Sequence, residues 1–461
     1  MWLGKTLKTD YLLLNNMNII KNIIYSPNGK IIWDSSENTF LDENHVNGAT
    51  LRYLNKLPKG CKVNEIKNVF QKLNIQSFNY PIKGFPINLP NAKVIEEEVN
   101  KLNDYHANLL NLYKINLPQI YNSNGEDICF LTRKHERQDD IYRINNTDKK
   151  TWRLNYSADP ALFTWLRGHT FESNKLPFRI ESEVDCFRNF LSGAVNGLDH
   201  MRQFNLRDIH SFCKEQESKS ELFFLAITFS EGMRYYFDEN WVAFIDIDSD
   251  YFDNNLNYGQ EFAKQIRQYV VLNVFENKKT YYTVRSGFNV DAGYKSVMIY
   301  NFQHDELNAE RFSIKASNKE KINVIHACLA RGVTRILPAM IGKIISYREK
   351  KFLPLSLSPV QVAIIFIGTT NTYCIRIATE FSMKGIRVCI LERGTISERI
   401  KWSMNNWIPF YCIVGNDDHL ASLRIESKFN QDNMSFDDLL CKLPSLEKNY
   451  NFSKPKEYYD L

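Results

Sequence analysis

The chain has 461 residues, 44% of them hydrophobic and 24% charged, with a formal net charge of +5. This balance excludes a disordered chain and leaves room for two or three domains. It permits a nucleic-acid partner without arguing for one, because phosphate is held by local patches and not by a global sum. Nine cysteines at irregular spacing, with no Cys-x-x-Cys pair, read as free thiols of a reducing cytoplasm. The opening MWLGKTLKTDYLLLNN has no apolar run of secretory length, and the longest one, Val360 to Gly368, is about half of a membrane span. A cytoplasmic protein without membrane association is expected.

In chain order, YSPNGKIIW predicts a strand, a turn at Pro27-Asn28-Gly29 and a second strand. Val63, Ile66, Phe70 and Leu73 form one helical stripe. From Lys93 to Tyr113 the pattern is amphipathic at helical spacing and runs into a strand, KINLPQIYN. His106 on that helix reads as a surface or interface residue. A charged stretch, LTRKHERQDDIYRI, follows.

Cys186 to Cys213 predicts an antiparallel hairpin, since aromatic residues alternate on both flanks of a loop bracketed by Arg188 and Arg202. A guanidinium at such a loop matches phosphate oxygens bidentately, which lysine cannot do. Asp208-Ile209-His210 closes the hairpin. Val242, Phe244, Ile245 and Ile247 then predict a strand. Asp246, Asp248, Asp250 and Asp253 around it lack the loop glycine and terminal glutamate of a calcium-binding EF-hand. Met298 to Leu337 reads as two strands and a helix carrying Arg335. In the last 110 residues buried apolar strands alternate with helices, which predicts a small, mostly parallel α/β domain with helices on both faces.

These phrases together resemble the threonyl-tRNA synthetases of the archaeal kind, a family of class II aminoacyl-tRNA synthetases, from roughly Asn88 to Pro455. The hairpin is similar to motif 2 of that class and keeps Arg188, Gly197-Leu198, Arg202, Phe204, Asp208 and His210. The helix and strand ending at Pro118 resemble motif 1, the homodimer element. Leu154, Tyr156, Ala158, Leu176, Pro177 and Arg179 match the family pattern before motif 2. Phe302-Gln303-His304-Asp305, Asn308 to Phe312 and Ile325-His326 match the segment leading to motif 3, whose arginine is Arg335. Leu-Ser-Pro-Val-Gln-Val, from Leu357 to Val362, is similar to the entry of the family's anticodon-binding domain. Arg424 stands where the family places a strand arginine that meets the anticodon.

The resemblance implies an α+β class II catalytic domain, an antiparallel sheet flanked by helices, over residues 91–352. A small α/β anticodon-binding domain follows over 353–461, and residues 1–90 form a small N-terminal extension of unknown role, too short to hold a TGS module together with the family's editing domain. It also implies activation of threonine with ATP and Mg2+, transfer to tRNA, and a homodimer. Arg188, Arg335 and Gln303 are then catalytic, while Asp208, Arg202 and Gln303 bind substrate. The family's zinc is held by one cysteine and two histidines. His210 and His326 match the histidines, whereas the cysteine position is Asp159, so Zn2+ follows if a carboxylate replaces the thiolate. Phe190 replaces the motif 2 glutamate and Thr334 the one before the motif 3 arginine. Two alternatives follow from these departures: a ligase of altered amino-acid specificity, and a paralogue without adenylation that binds RNA or a protein.

Overall fold

The computed structural model describes residues 18–37, 41–122, 128, 131, 141–144, 152–198, 200–276, 281–329, 332–349, 352–367, 372–415, 425–427 and 433–442. Most of the charged stretch after Phe130 lies outside them, as does Arg424.

Ten strands form the main sheet, in the order β2-β1-β9-β8-β10-β11-β12-β7-β6-β5. Their ranges are β1 Asn18–Tyr25, β2 Ile31–Asp34, β5 Tyr113–Asn116, β6 Phe178–Phe187 and β7 Gln203–Lys214. Next come β8 Trp241–Asp248, β9 Val270–Glu276, β10 Tyr282–Asp291, β11 Ser296–Asp305 and β12 Ile322–Leu329. All neighbours are antiparallel except β5 with β6 and β8 with β9. The strand-turn-strand signal of YSPNGKIIW corresponds to β1 and β2, and β1 pairs with β9, so the N-terminal extension lengthens this sheet. Apart from this sheet, β3 Gln76–Ser77 and β4 Ile87–Asn88 form a short antiparallel hairpin.

Alternation decides which face is core. Ile209, Phe302, Ile325 and Ala327 are fully buried in the main hydrophobic cluster. The same cluster takes Ile95, Val99 and Leu102 from helix α2, Pro90–Leu110, and Leu222, Leu225 and Phe229 from α4, Ser218–Phe237. Helix α1, Val63–Lys72, adds Ile66 and Phe70 of the predicted stripe. The residues between them in each strand, Asp208, His210, Asn301, Gln303, His326 and Cys328, therefore point to the opposite face.

The sequence expectation for His106 is corrected. Its ring is buried on α2, edge-on to Phe229 at 5.8 Å, and burial pushes its pKa down to about 4, so it sits as a neutral core residue. The acidic run after Val242 is strand β8 followed by a short turn of helix. Asp246 is buried and accepts from Asn273 Nδ2 at 2.8 Å, while Asp248 caps the helix by accepting from Asp250 N–H.

The carboxy-terminal unit is a five-stranded sheet of order β14-β13-β15-β16-β17. The strands are β13 Val362–Phe366, β14 Val388–Leu391, β15 Phe410–Val414, β16 Ile425–Ser427 and β17 Asn433–Met434. The first three are parallel and the last two antiparallel. Arg387 ties it to α2, with Nη1 on Glu98 at 3.0 Å and Nη2 on the Ser356 carbonyl at 2.6 Å. No disulfide joins any two of the eight described cysteines, and no described helix is long and apolar enough to cross a membrane.

Candidate active site

Strand register assembles the floor of the site. His210 lies opposite His326, which lies opposite Gln303; one step along the same face, Asp208 lies opposite Cys328, which lies opposite Asn301. Side chains in such rows stand about 5 Å apart. These two rows floor a cavity of about 250 Å³, whose walls are Tyr156, Arg188 and Phe204 on one side and Tyr281, Arg285 and Arg335 on the other.

Arg188 enters at the end of β6. Its guanidinium lies over the rings of Tyr156 at 4.2 Å and Phe204 at 4.9 Å, which fixes the plane of the fork. Arg335 arrives on a π-helical turn, Gly332–Ile336, that opens helix α5, Leu337–Ser346. Gly332 admits that turn against α2, since a Cβ there would lie 2.7 Å from Val99 Cγ2. Arg335 Nη1 donates to the Met298 carbonyl at 3.2 Å. The Gln303 amide oxygen accepts from the Tyr281 hydroxyl at 2.8 Å, leaving its NH2 group as the donor for a ligand.

Helix α3, Asp159–Trp165, carries Asp159 at its first position to the histidine row. Asp159 Oδ1 lies 2.8 Å from His210 Nε2 and 3.3 Å from His326 Nδ1. His326 Nε2 lies 3.1 Å from Asp305 Oδ2, which holds the ring from behind. All three residues are buried, and their ligand atoms lie within 4.8 Å of one another; among the described residues no other group of this kind occurs. Burial opposes charge on the His326 ring, but the two facing carboxylates prevail and raise it to about 10. Burial likewise opposes charge on Asp159, and the two imidazoles hold it well below the usual carboxylate range. Asp208 behaves in the opposite way: burial raises it, and its Oδ1 has no partner. The Cys328 thiol, hydrogen-bonded to Asp208, is raised by burial and by that carboxylate's charge.

The structure thus brings Arg188, Arg335, Gln303, Asp208, Asp159, His210 and His326 to one cavity. Arg202 is not among them. Its guanidinium donates to the Phe190 carbonyl at 3.0 and 2.7 Å, the Lys83 carbonyl at 3.1 Å and Ser192 Oγ at 3.2 Å. Substrate binding by Arg202 is therefore replaced by a structural task in the loop. Sequence reasoning missed Asn301, Cys328, Tyr281, Arg285 and Asp305. The first two were within reach, because each is two residues from a singled-out neighbour on a strand. Arg285, opposite Gln303 and donating to Asn301 Oδ1 at 3.0 Å, carried no motif signal.

The large, mainly antiparallel sheet with a cavity lined by Arg188, Arg285 and Arg335 and an appended α/β unit defines a class II aminoacyl-tRNA synthetase fold with a carboxy-terminal anticodon-binding domain. Residues 361–446 match the family described as anticodon binding domain. The chain is homologous to threonine-tRNA ligases. It is 27% identical to that of Thermococcus kodakarensis, over 71% of this chain and 54% of the relative, and 28% identical to that of Pyrobaculum neutrophilum, over 64% and 51%. It spans about half the length of these relatives. Among solved structures, the RNA binding domain of threonyl-tRNA synthetase from Cryptosporidium parvum aligns with a TM-score of 0.68 at 18% identity, covering 83% of this chain and 98% of that one. Prolyl-tRNA synthetase from the same organism, complexed with L-proline and AMP, aligns at 0.62 and 15% identity, covering 85% and 76%.

Proposed function

We propose that the protein is an aminoacyl-tRNA ligase of the threonyl type, which activates its amino acid with ATP and Mg2+ and passes it to tRNA. The observation that carries this is the convergence on one cavity of Arg188, Arg335 and Gln303 with the buried Asp208 and the Asp159-His210-His326 group. In this division residues 91–352 catalyse, 353–461 bind the anticodon with Arg424 as a contact, and 1–90 support the catalytic sheet.

Adenylation forms a bond between the amino-acid carboxylate and the α-phosphorus of ATP and releases pyrophosphate. Its charge develops on phosphate oxygens, so the groups required are fixed cations. Arg188, held between Tyr156 and Phe204, takes the α-phosphate, and Arg335 takes the γ-phosphate end. Gln303, oriented by Tyr281, donates to the substrate. Asp208, with one carboxylate oxygen unpaired, accepts from an amine or hydroxyl of the amino acid.

The donor set at Asp159 fits a divalent transition metal. Two imidazole nitrogens and a carboxylate oxygen lie close enough to share an ion, and Asp305 orients His326 in the way that supporting carboxylates orient metal-binding histidines. Three protein ligands leave an open position. Asp159, His210 Nε2 and His326 Nδ1 would hold Zn2+. When bound, the ion supplies a Lewis acid for the substrate's amine and hydroxyl. A homodimer accompanies this reading, supported by exposed Ile120 and Trp165 beside strand β5, the edge of the main sheet.

The test is amino-acid-dependent ATP-pyrophosphate exchange on purified protein across all amino acids, with zinc measured on the same sample. Exchange with threonine that vanishes in Arg188→Ala supports the reading. No exchange with any amino acid, in folded protein, refutes it.

A further inference from the structure

The N-terminal segment is joined to the loop that carries Arg188. The turn between β3 and β4 meets residues 188–202 at three hydrogen bonds. The Arg202 backbone N–H donates to the Gly84 carbonyl at 3.0 Å, Arg202 Nη1 donates to the Lys83 carbonyl at 3.1 Å, and Lys83 Nζ donates to the Ser192 carbonyl at 2.8 Å. The approach depends on Gly84. Its φ of +95° suits glycine, and a Cβ there would stand 2.9 Å from Val195 Cγ1 and 3.1 Å from Arg202 N.

The loop is also anchored from beneath. Val195, Leu198 and Met201 are buried, and Leu198 belongs to the main core together with Phe70 and Ile75. Lys67 of α1 lies over the Phe78 ring at 5.0 Å, and its Nζ lies 3.2 Å from where a Cβ on Gly197 would be.

Both peptide groups of Arg202 are then used in one line. Its N–H is held by Gly84, and its carbonyl accepts from the Arg188 N–H at 2.8 Å. Its side chain closes on Phe190, two residues beyond Arg188. Displacing the turn at Gly84 would therefore move Arg202 and, through it, the backbone that aims the Arg188 guanidinium.

We propose that residues 76–88 are a positioning element for adenylation: they clasp Arg202 and thereby set Arg188 for the phosphate before ATP arrives. This rests on the ATP role given to Arg188 above. Its physical basis is preorganisation, since a loop already ordered does not lose that freedom when the nucleotide binds.

The test uses the full chain with Gly84→Ala and, as a milder change, Lys83→Ala. Three quantities are measured: KM for ATP in pyrophosphate exchange, amide hydrogen exchange over residues 189–201, and the thermal midpoint. Gly84→Ala is expected to raise the ATP KM about tenfold and speed loop exchange by a similar factor, with kcat near wild type and a midpoint lowered by the local strain at the positive φ. Lys83→Ala should move both in the same direction by about two- to threefold, since its partner is a single exposed carbonyl. Unchanged loop exchange and ATP KM in Gly84→Ala would overturn the proposal, as would a fall in midpoint and kcat with ATP KM unmoved. If the wild-type protein shows no pyrophosphate exchange, the ATP role of Arg188 fails by itself. The clasp is then still decided by loop protection, which Gly84→Ala must weaken.

Discussion

Replacing Asp159 by asparagine keeps the shape of the side chain and removes the charge that two histidines face. The carboxylate sits 2.8 Å from His210 Nε2 and 3.3 Å from His326 Nδ1, and all three side chains are buried. Removing one partner of a buried pair costs about 3–5 kcal/mol, because the charge left behind is uncompensated. Both Asp159 and Asp305 raise His326 from 6.5 to about 10, so only part of that stabilisation is lost with the Asp159 charge. The sign of the shift fixes the pH window. A histidine raised on folding contributes stability that is complete below 6.5 and is lost as pH climbs through about 10. Asp159 is lowered on folding, so the same interaction is also lost at the acid end, as pH falls below the usual carboxylate value and through its own. Urea unfolding in EDTA should therefore show wild type about 3 kcal/mol or more above Asp159→Asn at pH 6 to 7, with the gap narrowing towards pH 10.5. Equal stabilities at pH 7, or a gap that widens with pH, would refute the charge arrangement drawn here.

Four further outcomes follow from the same geometry. Asp159→Cys should bind zinc more tightly than wild type in a chelator competition, since thiolate is the softer ligand and carries the same charge. Arg188→Ala should lower the rate of pyrophosphate exchange by about a hundredfold or more, and Arg188→Lys should not restore it, because an ammonium reproduces neither the fork nor its stacking between Tyr156 and Phe204. Tyr281→Phe removes the donor that orients Gln303; the expected result is a fall in kcat/KM for the amino acid of about fivefold with little change in the thermal midpoint. Arg387→Ala breaks the bonds to Glu98 and the Ser356 carbonyl, and increased chymotryptic cleavage after Phe352, Leu355 or Leu357 would report the loosened carboxy-terminal unit.

The parts legible in the sequence were those whose signal is local. The stripe of Ile66 and Phe70, the hairpin around Arg188 and the alternating strands of the carboxy-terminal unit follow from spacing alone. His106 shows where spacing fails: it lies on the core side of α2, and a helical wheel cannot say that Phe229 and α4 will cover it. Arg202 fails for a different reason. Its residue type suits a phosphate, but its fork is occupied by two carbonyls and a hydroxyl, and only the three-dimensional path of residues 76–88 reveals this.

The metal-competent group shows how far a strand pattern can be pushed. Once His210 and His326 are placed opposite each other, every second residue on either strand must face the same cavity, which puts Asp208 and Cys328 there without further assumption. Asp159 is different, because it comes from a helix whose approach no strand periodicity determines. Its carboxylate nevertheless ends between both imidazoles, with Asp305 supporting one of them from behind. The charge at Asp159 and the supporting carboxylate at Asp305 are the two features on which the proposed cation site, with its harder third ligand, rests.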